Sequence, residues 1–299
     1  MDNGFVPGQV KTLLSSQWAS LARPIAMLMV LASVYYLWRS LFAGGSTDIS
    51  ISGQSANFYM FIAIAACVYG LSLTFLAIAW VSFLPATDRR GYEVNLLKIY
   101  GVTSIAKYLP SGVLHFGGRQ LAGARVGLSH LALAKASTLE AAFSAMAAAM
   151  LGVFMLMLGF GVTIVVLSAF AILSAFALRS NPAMQNATIF GVASIVLFMM
   201  SMASIAAMCV WLLGSQGALS TAAGAYLMAW VAGFVIPGLV AGIGVREAVF
   251  AFLVNDEILP AEIALIVVFM RVLTTVGDGL FFLAFSAWPK TENTPVKEL

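Results

Sequence analysis

The sequence predicts an all-α polytopic membrane protein, with about six transmembrane helices plus two re-entrant helical hairpins in an inverted repeat. Three observations predict this class. The chain is 62% hydrophobic and only 9% charged, with a mean hydropathy of +0.99, whereas a soluble domain carries about 25% charged residues. Its apolar residues arrive in long runs, and a run of about 18 or more with few charges reads as a membrane span. Two further apolar segments are broken by proline and glycine and share a spacing.

Residues 1–23 are polar and mildly amphipathic, without the compact apolar stretch of a cleavable signal, and are expected in the cytoplasm. The single transmembrane domain is expected over residues 24–288. Pro24–Phe42 is the first predicted span, Phe58–Phe83 the second and Leu131–Leu158 the third. Val162–Leu178 is a short fourth, joined to the third through Gly159-Phe160-Gly161. Ala187–Leu213 is the fifth, and Ala261–Trp288, which contains Arg271 and Asp278, is the last. Residues 289–299 form a short charged tail, expected in the cytoplasm, and no soluble domain is expected at either end.

Val94–Val126 is interrupted at Leu109-Pro110-Ser111-Gly112, and Ala218–Val254 at Pro237-Gly238. The arm after each break has about 13 and about 10 residues, so it covers only about 20 Å and about 15 Å at 1.5 Å per residue. The hydrocarbon core is about 30 Å thick. Hairpins that enter and leave on one side fit these lengths. Broken backbone at membrane depth is tolerated only where protein or a wet cavity covers it, so these two segments are the candidates for function.

Charge placement agrees with that layout. With the N-terminus inside, 12 of the 15 Lys and Arg residues fall on the cytoplasmic side. Arg39, Arg246 and Arg271 lie in membrane segments, and no outside loop carries a base. This is the positive-inside pattern of a cytoplasmic membrane protein with both termini inside.

The two hairpins repeat a pattern. Pro110 is followed by Gly117 at seven residues and Arg119 at nine; Pro237 is followed by Gly244 at seven and Arg246 at nine. One hairpin would enter from the cytoplasm and the other from outside, as in the inverted repeats of secondary transporters. Chance recurrence in a glycine-rich chain is the competing reading.

A charge near the bilayer centre costs about 2.5–3.5 kcal/mol, so each buried charge needs a reason. Arg271 and Asp278 are seven residues apart on one predicted helix, about 10.5 Å along its axis, too far for an easy direct bond. Each is expected to meet another helix. Glu140 lies in the third span, Arg246-Glu247 opens the short arm of the second hairpin, and Arg119 opens that of the first. Pairing of Glu140 and Glu247 with Arg119, Arg246 or Arg271 would serve as structural ion pairs or as a site for an anionic group. Arg119, Glu140, Arg246, Glu247, Arg271 and Asp278 are the candidate binding residues. Pro110, Gly112, Gly117, Pro237, Gly238 and Gly244 are the candidate breaks. A break at membrane depth exposes a helix N-terminus, whose free N–H groups attract phosphate. Gly117-Gly118 and Gly242–Gly244 would let backbone approach closely, and Arg119 and Arg246 add fork-shaped donors.

Other signals are weaker. Ser111 and His115 have no nearby acid to orient them, so no catalytic residues and no enzyme activity are expected. His130 reads as interfacial. Asn186-Ala187-Thr188 matches a glycosylation sequon on the wrong side. Asp256-Glu257 reads as a solvated loop. Cys67 and Cys209 read as small packing residues. No zinc spacing, P-loop or nucleotide-binding glycine motif occurs, and neither a metal, a cofactor nor a nucleic-acid partner is expected.

Lys107-Tyr108-Leu109-Pro110-Ser111-Gly112 with Gly118-Arg119, and Pro237-Gly238 through Gly242-Ile243-Gly244-Val245-Arg246-Glu247-Ala248, resemble the two motifs of the flippase-like family, also called the lysylphosphatidylglycerol synthase transmembrane region. Glu140 and Arg271 stand where that family carries an acid and an arginine, and the resemblance covers roughly Pro24 to Trp288. Ser111 departs from the family's usual glycine. The resemblance implies movement between leaflets of a lipid with an anionic or glycosylated head group, such as a polyprenyl-phosphate-linked sugar or a modified phospholipid. It implies no aminoacyl-transferase activity, because that domain is lacking here. Lipid or glycan biosynthetic enzymes are the implied protein partners. An intramembrane enzyme acting on a polyprenyl phosphate, or a non-transporting partner of such enzymes, is the alternative.

Overall fold

A computed structural model describes residues 56–108, 114–178, 185–213, 215–235 and 245–288. The predicted first span, Pro24–Phe42, lies outside the described residues, as do the N-terminal segment, the C-terminal tail, and Pro110, Ser111, Gly112, Pro237, Gly238 and Gly244. Within the described residues every regular element is helical: α1 (Ala56–Ser82), α2 (Ala86–Arg89), α3 (Glu93–Ser104), α4 (Leu114–Arg125), α5 (His130–Leu178), α6 (Gln185–Leu212), α7 (Leu219–Val235), α8 (Val245–Val254) and α9 (Pro260–Ala287). Short 3-10 turns cover Ile105–Tyr108 and Gln216–Ala218.

Four of these helices are long and apolar enough to cross a membrane: Met60–Ser82, His130–Gly159, Ala187–Leu212 and Glu262–Ala287. They match the second, third, fifth and last predicted spans. Helix α5 is bent at Gly159, where φ is 82° and ψ is 163°, a backbone region essentially reserved for glycine. The predicted turn between the third and fourth runs is therefore a break at one residue, and the backbone is helical again to Leu178.

Local chemistry sets the helix starts. Pro260 opens α9 after the extended Leu259, where its fixed φ and missing N–H suit the first turn. Glu262 in that turn faces the positive end of the helix dipole, and its Oε2 accepts a 2.7 Å bond from Ser215 Oγ. Ser129 Oγ caps α5 by accepting the Ala132 N–H at 3.2 Å. Within the long helices, hydroxyls bond back to their own helix: Ser72 to Tyr69 O at 2.7 Å, Ser194 to Phe190 O at 2.9 Å and Thr274 to Met270 O at 2.8 Å. In a medium without water, that satisfies polar groups internally.

Small residues bring the helices together. A Cβ at Gly277 of α9 would stand 2.5 Å from Tyr69 Cδ1 and 2.7 Å from Ala66 O of α1. A Cβ at Gly224 of α7 would stand 2.7 Å from Gly152 O of α5. Beside that second crossing, Ser220 Oγ donates to Met155 O at 2.6 Å. Lipid cannot drive apolar helices together as water does, so close backbone approach and interhelical hydrogen bonds carry the association. Trp80, fully buried on α1, donates from Nε1 to Ser137 Oγ of α5 at 3.0 Å and packs 6.0 Å from the Tyr100 ring of α3.

The packing is reciprocal between two halves. Helix α1 lies against α6; α5 packs on α7 as α9 packs on α3; α9 packs on α1 as α5 packs on α6. In each half a pair of short helices, α3 with α4 or α7 with α8, precedes the long helix that closes the half. The last arms, with 12 residues in α4 and 10 in α8, measure about 18 Å and about 15 Å, well short of the hydrocarbon thickness.

Candidate functional site

The charges gathered between the helices fall into three clusters, and α9 contributes to two of them.

The first cluster joins the first pair of short helices to α5. Arg119 Nη1 of α4 meets Glu140 Oε2 at 2.6 Å, with side chains 4% and 8% exposed. Tyr100 of α3 donates its hydroxyl to the other carboxylate oxygen at 2.6 Å. The Arg119 guanidinium carbon lies 3.6 Å from the Tyr100 ring centroid, so the cation is held by an anion and an aromatic face together. The residues of α3, α4 and α5 thus close on each other.

The second cluster ties the end of α3 to α9. Lys107 Nζ lies 2.7 Å from Asp278 Oδ1, and Tyr108 donates its hydroxyl to Oδ2. Asp278 is 1% exposed. A buried carboxylate of this kind is tolerated because a cation and a hydroxyl both answer it. Tyr108 also lies within electrostatic reach of Arg271.

The third cluster is a groove between α7, α8 and α9. Tyr226, Arg246, Glu247, Phe250, Met270 and Arg271 line it, together with Ile266 and Val267, around a narrow cavity of about 20 Å³ that is partly open at the protein surface. Arg271 Nε donates to Glu247 Oε1. Arg246 belongs to none of the ion pairs among the described residues, and its Nε is buried without a hydrogen-bond partner. Its side chain runs along Gly233 of α7, where a Cβ would stand 2.5 Å from Arg246 Cγ and 2.8 Å from Nε. The guanidinium lies 5.8 Å from the Trp230 ring, which is stacked on Phe234 at 4.9 Å. A glycine slot and an aromatic ledge therefore position a cation that no carboxylate among the described residues pairs with.

The six candidate binding residues are distributed over these clusters: Arg246, Glu247 and Arg271 line the groove, Glu140 and Tyr100 take up Arg119, and Asp278 holds Lys107. Arg119 does not open its helix. Helix α4 starts at Leu114, so Gly117 and Arg119 lie inside the helix and Gly117 is not a break. Arg246 is the second described residue of α8. A Cβ at Gly117 would meet nothing within 4 Å, whereas one at Gly118 would stand 3.2 Å from the Thr103 methyl of α3; close approach at Gly118 joins α4 to α3. Cys67 is exposed on α1, and only Cys209 is buried, its Sγ 3.7 Å from Met270 Sδ. The His115 ring lies 3.9 Å from that of Phe116, tilted by 38°. His130, at the start of α5, accepts from Gln120 Nε2 through its carbonyl at 2.7 Å.

Sequence reasoning did not single out Tyr100, Tyr226, Trp230 or Gly233, and it named Lys107 and Tyr108 only within the first motif. Lys107 and Tyr108 carried a usable signal, since they immediately precede a break. The others are ordinary residues of apolar helices whose role comes from the helix opposite.

Compared with family models, with curated proteins and with solved structures, the chain gives no match.

Proposed function

We propose that the chain is a lipid flippase-like transporter that moves a lipid with an anionic or glycosylated head group across the cytoplasmic membrane. The observation that carries this reading is the groove of α7, α8 and α9, which brings Arg246 and Arg271 together with a single acid, Glu247. An uncompensated cation at membrane depth is costly, and a phosphate oxygen answers it well. Guanidinium presents a planar fork of donors matched to that group. The groove is apolar along Phe250, Ile266, Val267 and Met270, which suits the acyl or prenyl part of the same molecule.

In this reading the architecture is about six spans plus two re-entrant hairpins, α3–α4 and α7–α8, with the termini in the cytoplasm. Its support is the shortness of the arms, the reciprocal packing of the halves and the absence of basic residues from the outside loops. Reciprocal halves that rock against each other expose a central site to one leaflet and then the other. Asp278 and Lys107 would link the first hairpin to the helix that carries Arg271.

The test is a leaflet-exchange assay in proteoliposomes carrying a head-group-labelled anionic lipid. Arg246→Ala and Arg271→Ala are each expected to slow exchange at least tenfold while the protein stays folded by gel filtration. Wild-type rates in both variants would remove the site assignment.

A further inference from the structure

The charges of the groove also specify the charge of its occupant. Lys107, Arg119 and Arg271 each hold one carboxylate, namely Asp278, Glu140 and Glu247. Among the described residues Arg246 holds none. Residues 236–244, which precede α8 in the sequence, read Ile-Pro-Gly-Leu-Val-Ala-Gly-Ile-Gly and contain no ionisable side chain. Among the described residues, the groove lining therefore carries two cations and one anion.

We infer that the groove selects a head group with one net negative charge, a phosphodiester lipid, over a diphosphate lipid and over a zwitterionic one. The inference rests on reading the groove as a head-group site. A single phosphodiester anion brings the groove to neutrality. A diphosphate brings at least one surplus negative charge into a low-dielectric wall of Phe250, Ile266, Val267 and Met270. There an unmatched charge costs far more than in water. A zwitterion supplies the phosphate but adds an ammonium, and the one acid of the groove already answers Arg271. Arg246 is the recognition element, because it is fixed by the Gly233 slot, its Nε is buried without a hydrogen-bond partner and, among the described residues, it has no carboxylate to displace. The same count covers a polyprenyl-phosphate sugar and an acidic glycerophospholipid, since both are monoanionic phosphodiesters. The lipid arms below separate them.

The experiment measures lipid binding to the purified full-length protein by native mass spectrometry, independently of transport. The probes are phosphatidylglycerol, a short polyprenyl-phosphate hexose, phosphatidylcholine and a short polyprenyl diphosphate. The wild-type protein is expected to bind at least one of the two monoanionic phosphodiesters at least tenfold more tightly than the zwitterion and the diphosphate. Glu247→Gln raises the groove charge by one and is expected to shift preference at least tenfold toward the diphosphate. Arg246→Gln lowers it by one and is expected to abolish the preference for monoanions over the zwitterion. Wild-type binding that favours the diphosphate or the zwitterion overturns the inference, and this comparison needs no variant to fold. Unchanged ranking in a folded Glu247→Gln protein also overturns it. Binding of none of the four lipids overturns both the inference and the head-group site. Monoanion selectivity without leaflet exchange upholds the inference and overturns only the transporter reading.

Discussion

Arg119 and Glu140, 21 residues apart in sequence, form an ion pair at 2.6 Å whose two side chains are almost completely buried. The hydroxyl of Tyr100 completes the carboxylate, and its ring lies under the guanidinium. In the other half, Glu247 and Arg271 make the corresponding link from short helix to closing helix with the signs exchanged. The first pair is closed upon itself, whereas the second opens on a groove.

That difference predicts how the first pair responds to mutation. Arg119→Met leaves a buried carboxylate without its cation and is expected to cost about 3–5 kcal/mol. The double substitution Arg119→Met with Glu140→Met removes both charges and is expected to recover most of that loss. Denaturant titration in detergent reads both values. Equal destabilisation by the single and double variants would show that the pair is not what fixes α4 against α5.

The crossing of α1 and α9 makes a second prediction with an internal control. At Gly277 a Cβ meets Tyr69, Ala66 O and Gly70 N within 3.0 Å, whereas at Gly279 it meets nothing within 4 Å. Gly277→Ala is expected to destabilise by about 1–3 kcal/mol through overpacking. Gly279→Ala is expected to be neutral or to stabilise by up to about 1 kcal/mol, because alanine favours a helix interior. Paired thermal melts decide it, and loss of stability in the Gly279 variant would contradict the packing described here.

Gly159 tests the backbone alone. Nothing lies within 4 Å of its absent Cβ, yet φ is 82°. Gly159→Ala is therefore expected to cost about 1–3 kcal/mol from strain, not from a clash. Gly161, which also meets nothing within 4 Å but has no positive φ, is expected to accept alanine with less than half that loss. The same unfolding titration distinguishes the two positions.

Much of the helical layout was legible because lipid imposes a simple rule. A crossing segment must be long, apolar and helical, and α1, α6 and α9 follow their apolar runs to within a few residues. Gly159 was legible because glycines at a junction between apolar runs are the residues that can turn sharply. The equal spacing after Pro110 and Pro237 was less informative. Arg119 is taken up by Glu140 and Tyr100, whereas Arg246 runs along Gly233 beside Trp230. Spacing along the chain does not reveal which helix stands opposite.

For the candidate site, the sequence by itself determined which residues had to be explained. A charge in an apolar run is expensive wherever it ends up, so Arg119, Glu140, Arg246, Glu247, Arg271 and Asp278 were conspicuous from the first reading. Only the tertiary structure decided their partners. Arg271 and Asp278 share one helix but face different neighbours, Glu247 on α8 and the Lys107–Tyr108 turn after α3. Among the described residues Arg119 has a carboxylate and Arg246 has none, although both stand nine residues after a proline. The physical reason is that an ion pair depends on distances of a few ångströms between different helices. Those distances are set by where Gly70, Gly152, Gly224, Gly233 and Gly277 let backbones and side chains approach, which becomes visible only once the helices are packed.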